Sequence, residues 1–398
     1  MLIILFPQRF INYFYKSYQI GELKKKLKEK VEVHDISNII SASTNNTYKG
    51  SIYKSVKIFK EIKEWDRYLK KKMKKKKKIY ILNCINLDNL KSFYIHYLLS
   101  KYKFTIIEAN SAGTLQYIYS KTLKQKIVNF LKYLVFHHRF FLLRTKQFML
   151  RVTTKFLKFN EIYVTQCGFH GRRNVHPLLS SKKTKFLDFN SPDYANFFIN
   201  KKKIKNKNYA VFLDAKTPAF VGDKALFGLN VNYDKKKWYY DLNNFLKKVE
   251  KQFNLRVVII PHPSVREFKN TYYDKSLKVV NDEDATNKLI SGCKFVLSIS
   301  PTTAVTYCIL YNKPITFIYN DQMVKENSWQ FKELKLYSDI LSSKIINLNE
   351  DTNIIVLNSS VNKKKYLKWK YNFITSKKTE KISNVEILNK AIFNKHKD

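Results

Sequence analysis

Short apolar runs alternate along the second half of the chain with longer segments that carry apolar residues at helical spacing. Short apolar runs of this kind, such as the β-branched run 256–260, predict buried strands. These runs cover residues 209–213, 256–260, 277–280, 294–299 and 314–319. The segments between them predict helices at about 233–253, 284–293 and 304–311. Strands alternating with helices in this way predict a parallel sheet, and therefore an α/β domain.

The first half shows the same alternation less completely. Strands are predicted at 79–84, 104–108 and 161–165, with a helix at 87–102. Residues 1–30 mix aromatic and aliphatic residues with lysine and arginine. That segment fits either an amphipathic helix lying on a membrane or the first strand and helix of the fold.

A shift from apolar to basic composition across residues 190–208 marks a domain boundary. We therefore expect an N-terminal α/β domain over 1–195 and a C-terminal α/β domain over 205–345. Residues 346–398 form a basic tail with one aromatic stretch, Tyr366–Tyr371.

The chain has 75 basic and 31 acidic residues, a formal net charge of +44. Such a charge suits nucleic acid or an anionic membrane, or it is solvated surface in a lysine-rich composition. No zinc-ligand spacing, RNP-like run or helix-turn-helix signature accompanies it. We therefore expect solvated surface together with an anionic membrane surface as partner, and not nucleic acid.

The four cysteines are far apart and lie in or beside apolar runs. This pattern argues against a disulfide framework or a zinc site and fits a reducing compartment. No run reaches the roughly 18 apolar residues of a spanning helix. The apolar start, Met1–Phe6, is too short for a signal peptide and lacks its basic region. We expect a cytoplasmic protein.

Two polar runs follow predicted strands. His262 stands between two prolines at the end of 256–260, and Ser300, Thr302 and Thr303 follow 294–299. Ligands of parallel sheets bind outside the carboxyl ends of strands, and a helix start with hydroxyls favours phosphate. A histidine there can contact phosphate or protonate a leaving group. We therefore expect His262 and Thr302 at adjacent strand ends, facing one cavity.

These two motifs resemble the paired motifs of bacterial sialyltransferase-like GT-B glycosyltransferases. The closer resemblance is to surface-carbohydrate biosynthesis proteins encoded with bacterial capsule and lipopolysaccharide genes, and it covers about residues 209–321. It includes Asp214 with Pro218 and the segment 304–317. One departure lies in the Asp214 loop, where the family has His-Pro-Asp and this chain has Phe220-Val221-Gly222-Asp223.

The resemblance implies an α/β fold of two Rossmann-like domains (GT-B) with a cleft between them, and a terminal helix crossing back to the first domain, for which Tyr366–Tyr371 is the candidate. It implies a nucleotide-sugar donor bound mainly by the C-terminal domain and a glycan or glycolipid acceptor. The expected donor-binding residues are Pro263, Arg266, Ser300, Thr302 and Thr303. His262 and Asp214 are the expected catalytic residues, and Asp223 is the substitute for Asp214.

Each of these residues also has a simpler interpretation. Asp214 is either a turn or cap residue or the general base of an inverting transferase. His262 is either functional or satisfied by backbone groups, and Arg266 either pairs with a phosphate or sugar carboxylate or lies exposed. No DxD-like metal motif is evident in the C-terminal half, so we expect no cofactor and metal-independent transfer.

The sequence thus predicts a glycosyltransferase that is peripheral to the inner membrane of a bacterium and moves a sugar from a nucleotide-sugar to a surface glycan. A CMP-activated acidic sugar is favoured over a UDP-sugar. The alternative is a non-catalytic basic protein that binds nucleic acid or anionic polysaccharide.

Overall fold

Two parallel β-sheets organise the chain, each within its own compact unit. The first unit comprises Met1–Ala195 and Asn372–Asp398, and the second comprises Asn196–Tyr371. The structure is a computed structural model. It describes residues 1–7, 9–10, 12–27, 29–40, 55–75, 78–85, 87, 89–109, 145, 149–150, 152–153, 156–170, 184–200, 207–214, 218, 232–262, 270–282, 285–300, 302–326, 328–350 and 354–393.

The first sheet is entirely parallel and has the strand order β3-β2-β1-β4-β5-β6-β7. Its elements are β1 Leu2–Phe6, α1 Asn12–Ser17, α2 Ile20–Lys26, β2 Val31–Asp35, α3 Ser37–Ile40, β3 Val56–Ile58, α4 Ile62–Lys75, β4 Tyr80–Asn83, α5 Leu90–Lys101, β5 Thr105–Glu108, β6 Glu161–Cys167, β7 Thr184–Phe189 and α6 Pro192–Asn200, which leads into the second unit.

The central position of β1 decides between the two interpretations of the chain start. All five of its residues are buried, because it pairs with β2 on one side and β4 on the other. Its side chains alternate between two cores: Ile3 and Leu5 pack with Trp65, whereas Leu2 and Ile4 pack with Phe10. This segment is therefore the first strand of the fold and not a helix lying on a membrane.

The second sheet repeats the arrangement with the order β10-β9-β8-β11-β12-β13, again all parallel. Its elements are β8 Tyr209–Leu213, α7 Lys235–Phe253, β9 Arg256–Ile260, β10 Lys278–Val279, α8 Ala285–Gly292, β11 Val296–Ser298, α9 Val305–Leu310, β12 Ile315–Tyr319, α10 Asp321–Glu326, α11 Ser328–Leu341, β13 Lys344–Asn347 and α12 Lys363–Trp369.

Both orders place the first strand of the unit beside its fourth, which is the doubly wound order of Rossmann folds. The prediction of two Rossmann-like α/β domains is confirmed. The order also defines a switch point in each sheet, between β1 and β4 and between β8 and β11. Crossovers leave in opposite directions on the two sides of these points.

The long helix α7 shows how local sequence sets an element. Its N-cap Asp234 accepts a hydrogen bond from the Lys237 N–H (3.1 Å). Apolar residues at helical spacing, among them Trp238 and Leu242, are buried. The helix ends at Asn254, whose φ of 45° is left-handed. Since α7 connects two parallel strands, its first turn lies at the carboxyl edge of the sheet.

The end of the chain is divided between the two units. Within the second unit, Tyr366 of α12 donates a hydrogen bond to the Lys313 carbonyl (3.0 Å), and the rings of Trp369 and Tyr337 are 4.9 Å apart. A π-helical turn, Lys370–Ile374, follows α12. Then α13, Asn384–Leu388, belongs to the first unit, where Val385 and Leu388 join the β1 core. The segment that packs in the first unit is therefore 372–393, and the aromatic stretch 366–371 packs in the second.

No helix in the part of the chain that the structure describes has the length and hydropathy needed to cross a membrane. The four cysteines carry free thiols, and three of them are buried.

Candidate functional site

The switch point of the second sheet brings several predicted site residues to one edge. Leu213 at the end of β8 lies opposite Ile260 of β9 and Ser298 of β11. The carboxyl ends of these three strands therefore lie side by side at the same edge of the sheet. Asp214, the Pro261–His262 segment and the Ser300 segment follow these ends. This is the edge at which open α/β sheets bind their ligands.

Asp214 is 5% exposed, and its backbone N–H donates to the Ile260 carbonyl (3.1 Å), which extends the β8–β9 ladder by one residue. Tyr273 is its neighbour: burial and the charge of Asp214 raise the pKa of the tyrosine hydroxyl well above its usual value. The ring of Tyr273 packs edge-on against Tyr239 of α7, with centroids 5.3 Å apart. Asp214 is thus a buried carboxylate beside an aromatic wall.

His262 is half-buried at the exit of β9. The prediction that His262 and Thr302 follow adjacent strands is wrong, because β8 lies between β9 and β11. In a doubly wound sheet the chain adds strands on both sides of the first one, so strands that follow each other in sequence need not pair. Three further predicted residues, Pro263, Arg266 and Asp223, lie outside the described residues.

The hydroxyl segment after β11 forms a tight turn. Ser298 Oγ donates to the Ser300 carbonyl (2.7 Å), and the Thr302 N–H donates to the same carbonyl (2.9 Å). Helix α9 begins at Val305 with Ala304 as its N-cap, and an alanine side chain cannot cap. The helix therefore begins without a side-chain cap. The half-buried Thr302 keeps its Oγ1 shielded from solvent, and this atom has no hydrogen-bond partner in the part of the chain that the structure describes.

Among the described residues at this edge, the side-chain donors that are shielded from solvent and have no hydrogen-bond partner include Thr302 Oγ1, Asn320 Nδ2 and Trp238 Nε1. Asn320 follows β12, and its Oδ1 accepts a hydrogen bond from the Met323 N–H (2.9 Å), which directs the NH₂ group away from α10. Trp238 lies in the first turn of α7 and is fully buried. An unpartnered buried donor costs roughly 1–3 kcal/mol, so these donors are available to an acceptor atom that enters the site.

Sequence reasoning missed Asn320 and Trp238. Asn320 had a usable signal: it stands between a predicted strand and a helix, the arrangement that identified His262 and Ser300. Trp238 had none, since a tryptophan at helical spacing is normally a core residue.

The first sheet carries a second polar group at its carboxyl edge. Asn83 ends β4, and its Nδ2 donates to Glu108 Oε2 at the end of β5 (2.9 Å). Burial raises the pKa of Glu108 to about 7, against the opposing effect of the Asn83 hydrogen bond. Glu108 was also missed, although a single charged residue closing an apolar strand was visible in the sequence.

The two units carry groups of different chemistry at the carboxyl edges of their sheets, and each is considered by itself. Glu108 is an ionisable group with a pKa near neutrality, and the three unpartnered donors suit phosphate, ribose or base oxygens. Among the described residues, no group of three or more histidine, cysteine, aspartate or glutamate side chains is placed to hold a metal ion.

Comparisons with known proteins give fold-level similarity alone. No protein-family model matches the chain, and no curated protein matches it. Among solved structures, it is similar to the spinosyn forosaminyltransferase SpnP (8% identity, covering 98% of this chain and 94% of that chain, TM-score 0.43). It is also similar to Phytolacca americana UGT2 complexed with UDP-2-fluoro-glucose and pterostilbene (8% identity, 98% and 93%, TM-score 0.46). A third is MurG of Acinetobacter baumannii (10% identity, 88% and 87%, TM-score 0.39). At these values the functional assignment rests on the site geometry.

Proposed function

We propose that the chain is a nucleotide-sugar-dependent glycosyltransferase whose second unit binds the donor. The observation that carries this proposal is the set of unpartnered buried donors, Thr302 Oγ1, Asn320 Nδ2 and Trp238 Nε1, at the carboxyl edge of the second sheet. A nucleotide offers many acceptor oxygens and nitrogens, and doubly wound sheets bind nucleotides at this edge. The ligand would satisfy donors that the protein itself leaves without partners.

The donor is a nucleotide-activated sugar, with a CMP-activated acidic sugar as the favoured case. Two features support this choice: the sequence resemblance of His262-Pro263 and the Ser300 segment to sialyltransferase-like motifs, and the position of His262 beside the end of β8. In this proposal His262 stabilises the leaving phosphate, Arg266 pairs with an anionic group of the donor, and Asp214 lies beneath the donor. Transfer is inverting and needs no metal, because protein groups neutralise the leaving nucleotide.

The acceptor is a bacterial surface glycan or glycolipid, and the enzyme lies at the cytoplasmic face of an anionic membrane. The composition of one face of α5 supports the proposal that the protein binds an anionic membrane. Leu90, Tyr94 and Tyr97 are 60%, 44% and 43% exposed on that face. Lys101 continues the same face, and Lys91 flanks it. An apolar, aromatic strip bordered by lysines matches the interface of an anionic bilayer.

Calorimetric titration with CMP, UDP, ADP and GDP tests the proposed donor site. We expect one of the four to bind saturably. Thr302→Val and Asn320→Asp should each weaken that binding about tenfold or more. Both substitutions remove a donor with little change in shape, and the aspartate keeps the oxygen that caps α10.

Asn208→Asp is the matched control, because Asn208 is exposed beside the opposite end of β8 and the substitution adds the same charge. We expect it to bind as the wild type does. If none of the four nucleotides binds the wild-type protein, the proposed donor site is wrong.

A further inference from the structure

The end of the first sheet at which the chain enters its strands, here called the amino edge, carries a concentration of lysines. In the sequence, the five residues before β2, β4 and β5 contain three, four and two lysines, whereas the five residues after each of these strands contain none. A lysine-rich composition alone would enrich both ends of the sheet alike. Around these three strands, lysine is therefore concentrated at one end.

Backbone contacts place the segments that enter these strands side by side. The Leu2 N–H of β1 donates to the Lys30 carbonyl (2.9 Å), which precedes β2. The Tyr80 N–H at the start of β4 donates to the Met1 carbonyl (2.9 Å). Tyr80 also lies opposite Thr105, the first residue of β5. Since neighbouring strands are about 4.8 Å apart, the seven strands make an edge roughly 30 Å across.

Many lysines at this edge are exposed and have no carboxylate partner. Some are paired: Asp66 lies 2.8 Å from Lys70, and the buried Glu32 lies 3.1 Å from Lys72. In the part of the chain that the structure describes, no side-chain ion pair is formed by the exposed Lys71, Lys74, Lys75, Lys103 and Lys158. Their charges are available to an anionic partner.

An exposed phenylalanine lies at the same edge. Phe156 is 79% exposed and stands two residues before Lys158. The Lys158 N–H donates to Ser100 Oγ (2.7 Å), and Ser100 Oγ donates to the Lys158 carbonyl (3.0 Å). These bonds attach the segment to the last turn of α5, next to Lys101 and Lys103. A large apolar ring thus stands among lysines.

This combination matches an anionic bilayer better than nucleic acid. An ammonium group is a compact charge that needs no fixed partner geometry, whereas nucleic-acid recognition favours the planar guanidinium. The five residues before β2, β4 and β5 contain no arginine. A lysine cluster is attracted to an anionic leaflet, and an exposed aromatic ring can enter the headgroup region.

We propose that the amino edge of the first sheet docks the chain on an anionic bilayer, with the amino ends of the strands towards the lipid. This inference rests on the membrane partner proposed above and not on the transfer chemistry. The exposed strip of α5 reaches this edge at Lys101, so the strip and the lysines form one continuous surface. The carboxyl edge of the same sheet then lies farther from the lipid than the amino edge.

The charge of the edge is tested with a combined variant, Lys71→Gln, Lys74→Gln, Lys75→Gln and Lys103→Gln. Co-sedimentation with mixed phosphatidylglycerol–phosphatidylcholine vesicles measures its binding. We expect binding about 100-fold weaker or more than that of the wild type, because each well-placed lysine contributes to the attraction. Calorimetric nucleotide binding should be unchanged, which also shows that the variant folds.

A matched control removes the same charge from the second unit. It carries glutamine at four exposed lysines on different helices: Lys251, Lys288, Lys335 and Lys368. We expect this variant to bind the vesicles within about threefold of the wild type, since exposed charges farther away than the screening length contribute little.

The orientation is tested at the two ends of β6. Phe156 precedes this strand and Phe169 follows it, and both rings are exposed, by 79% and 69%. Brominated phosphatidylglycerol quenches an indole that enters the lipid. We expect it to quench the added fluorescence of Phe156→Trp and not that of Phe169→Trp. The reverse pattern would overturn the proposed orientation.

Three further results would overturn the inference. If the edge variant binds vesicles as the wild type does, the docking surface is wrong, although the membrane partner stands. If the variant loses binding to duplex DNA but not to vesicles, the edge is a nucleic-acid surface. If the wild type binds no anionic vesicles, both the edge and the membrane partner are wrong, and the proposed donor site is still tested separately by nucleotide binding.

Discussion

The side-chain amide of Asn384 hydrogen-bonds to both backbone polar groups of Asn190. Asn384 Oδ1 accepts from the Asn190 N–H and Asn384 Nδ2 donates to the Asn190 carbonyl, each at 2.9 Å. The Asn384 side chain thus acts as one more strand residue beside the end of β7. Asn190 in turn donates through Nδ2 to the carbonyls of Ile382 (2.8 Å) and Thr379 (3.2 Å). These bonds make the C-terminal segment part of the first unit.

Asn190→Ala is therefore expected to destabilise the first unit by about 2–4 kcal/mol, because it leaves buried carbonyls of residues 372–393 without their donor. Denaturant unfolding would measure the loss. The control is Asn208→Ala, which removes one exposed hydrogen bond to the Asn254 carbonyl and should cost less than about 0.5 kcal/mol. Equal effects of the two substitutions would contradict this role for Asn190.

Gly168 marks a second contact between the body of the first unit and its C-terminal segment. Its φ is +68°, and a Cβ atom there would lie 2.5 Å from the Asn372 carbonyl carbon. Gly168→Ala is expected to cost at least about 2 kcal/mol, since it combines backbone strain with a clash against backbone atoms.

Gly21→Ala is the matched control, because Gly21 lies inside α2 and its added Cβ would meet only the end of the Tyr15 side chain, at 3.3 Å. Alanine favours helix by roughly 0.5–1 kcal/mol, so this variant should be as stable as the wild type or slightly more stable. Thermal unfolding of the two variants, side by side, would check the prediction. A Gly168→Ala protein of wild-type stability would rule out the close approach.

A buried ionic cluster on β2 predicts a pH-dependent stability. Glu32 accepts hydrogen bonds from Tyr68 Oη (2.6 Å) and Lys72 Nζ (3.1 Å) and lies 3.2 Å from His34 Nε2. Burial alone would raise the pKa of Glu32, but these hydrogen bonds and the charge of Lys57 lower it overall. Its folded pKa is thus below its unfolded pKa, so its stabilising effect is present at neutral pH and is lost as the pH falls below about 4.5.

Glu32→Gln should accordingly lower the free energy of unfolding by about 2–4 kcal/mol at pH 7. The difference in this free energy between the wild type and the variant should become smaller as the pH is lowered. Urea unfolding of both proteins at pH 7, 5 and 3.5 would measure this difference. A difference that stays constant across this range would show that ionised Glu32 is not stabilising.

The exposed face of α5 predicts salt-sensitive membrane binding. Replacing Leu90, Tyr94 and Tyr97 together by serine should weaken co-sedimentation with anionic vesicles, because it removes the apolar strip that enters the interface. Binding should also fall at high salt, since charges are screened over about 8 Å at physiological ionic strength. Tyr240→Ser is the control, because Tyr240 is 68% exposed on α7 of the second unit. Equal binding of neutral and anionic vesicles would contradict the prediction.

The sequence predicted the fold better than the site because strand and helix signals are local. Residues 209–213 and 256–260 match β8 and β9 in both bounds, since a short, uninterrupted apolar run is sufficient to define a buried strand. Two weaker cases show the limit of that signal. Charged and polar residues interrupt β2, whose Glu32 and His34 are buried only because α4 supplies Tyr68, Trp65 and Lys72 as partners. Edge strand β13 also carries too weak a pattern to be predicted.

Site geometry depends on contacts between distant segments, which the sequence does not show. His262 and Thr302 were correctly placed after strands but wrongly placed on neighbouring ones, because the strand order of a doubly wound sheet is a tertiary property. Glu108 gains its raised pKa from burial, and its position from Asn83 on another strand. Neither effect has a sequence pattern of its own.

The central claim is that the second unit holds a nucleotide-sugar whose sugar is transferred. It is tested most directly by ³¹P NMR of CMP-, UDP-, ADP- and GDP-linked sugars incubated with the full chain and a bacterial glycolipid extract. We predict that free nucleotide is released from one of the four classes, and that the Thr302→Val and Asn320→Asp proteins release it more slowly. The contradicting result is that all four donors stay intact while the same protein binds nucleic acid or anionic polysaccharide at physiological salt.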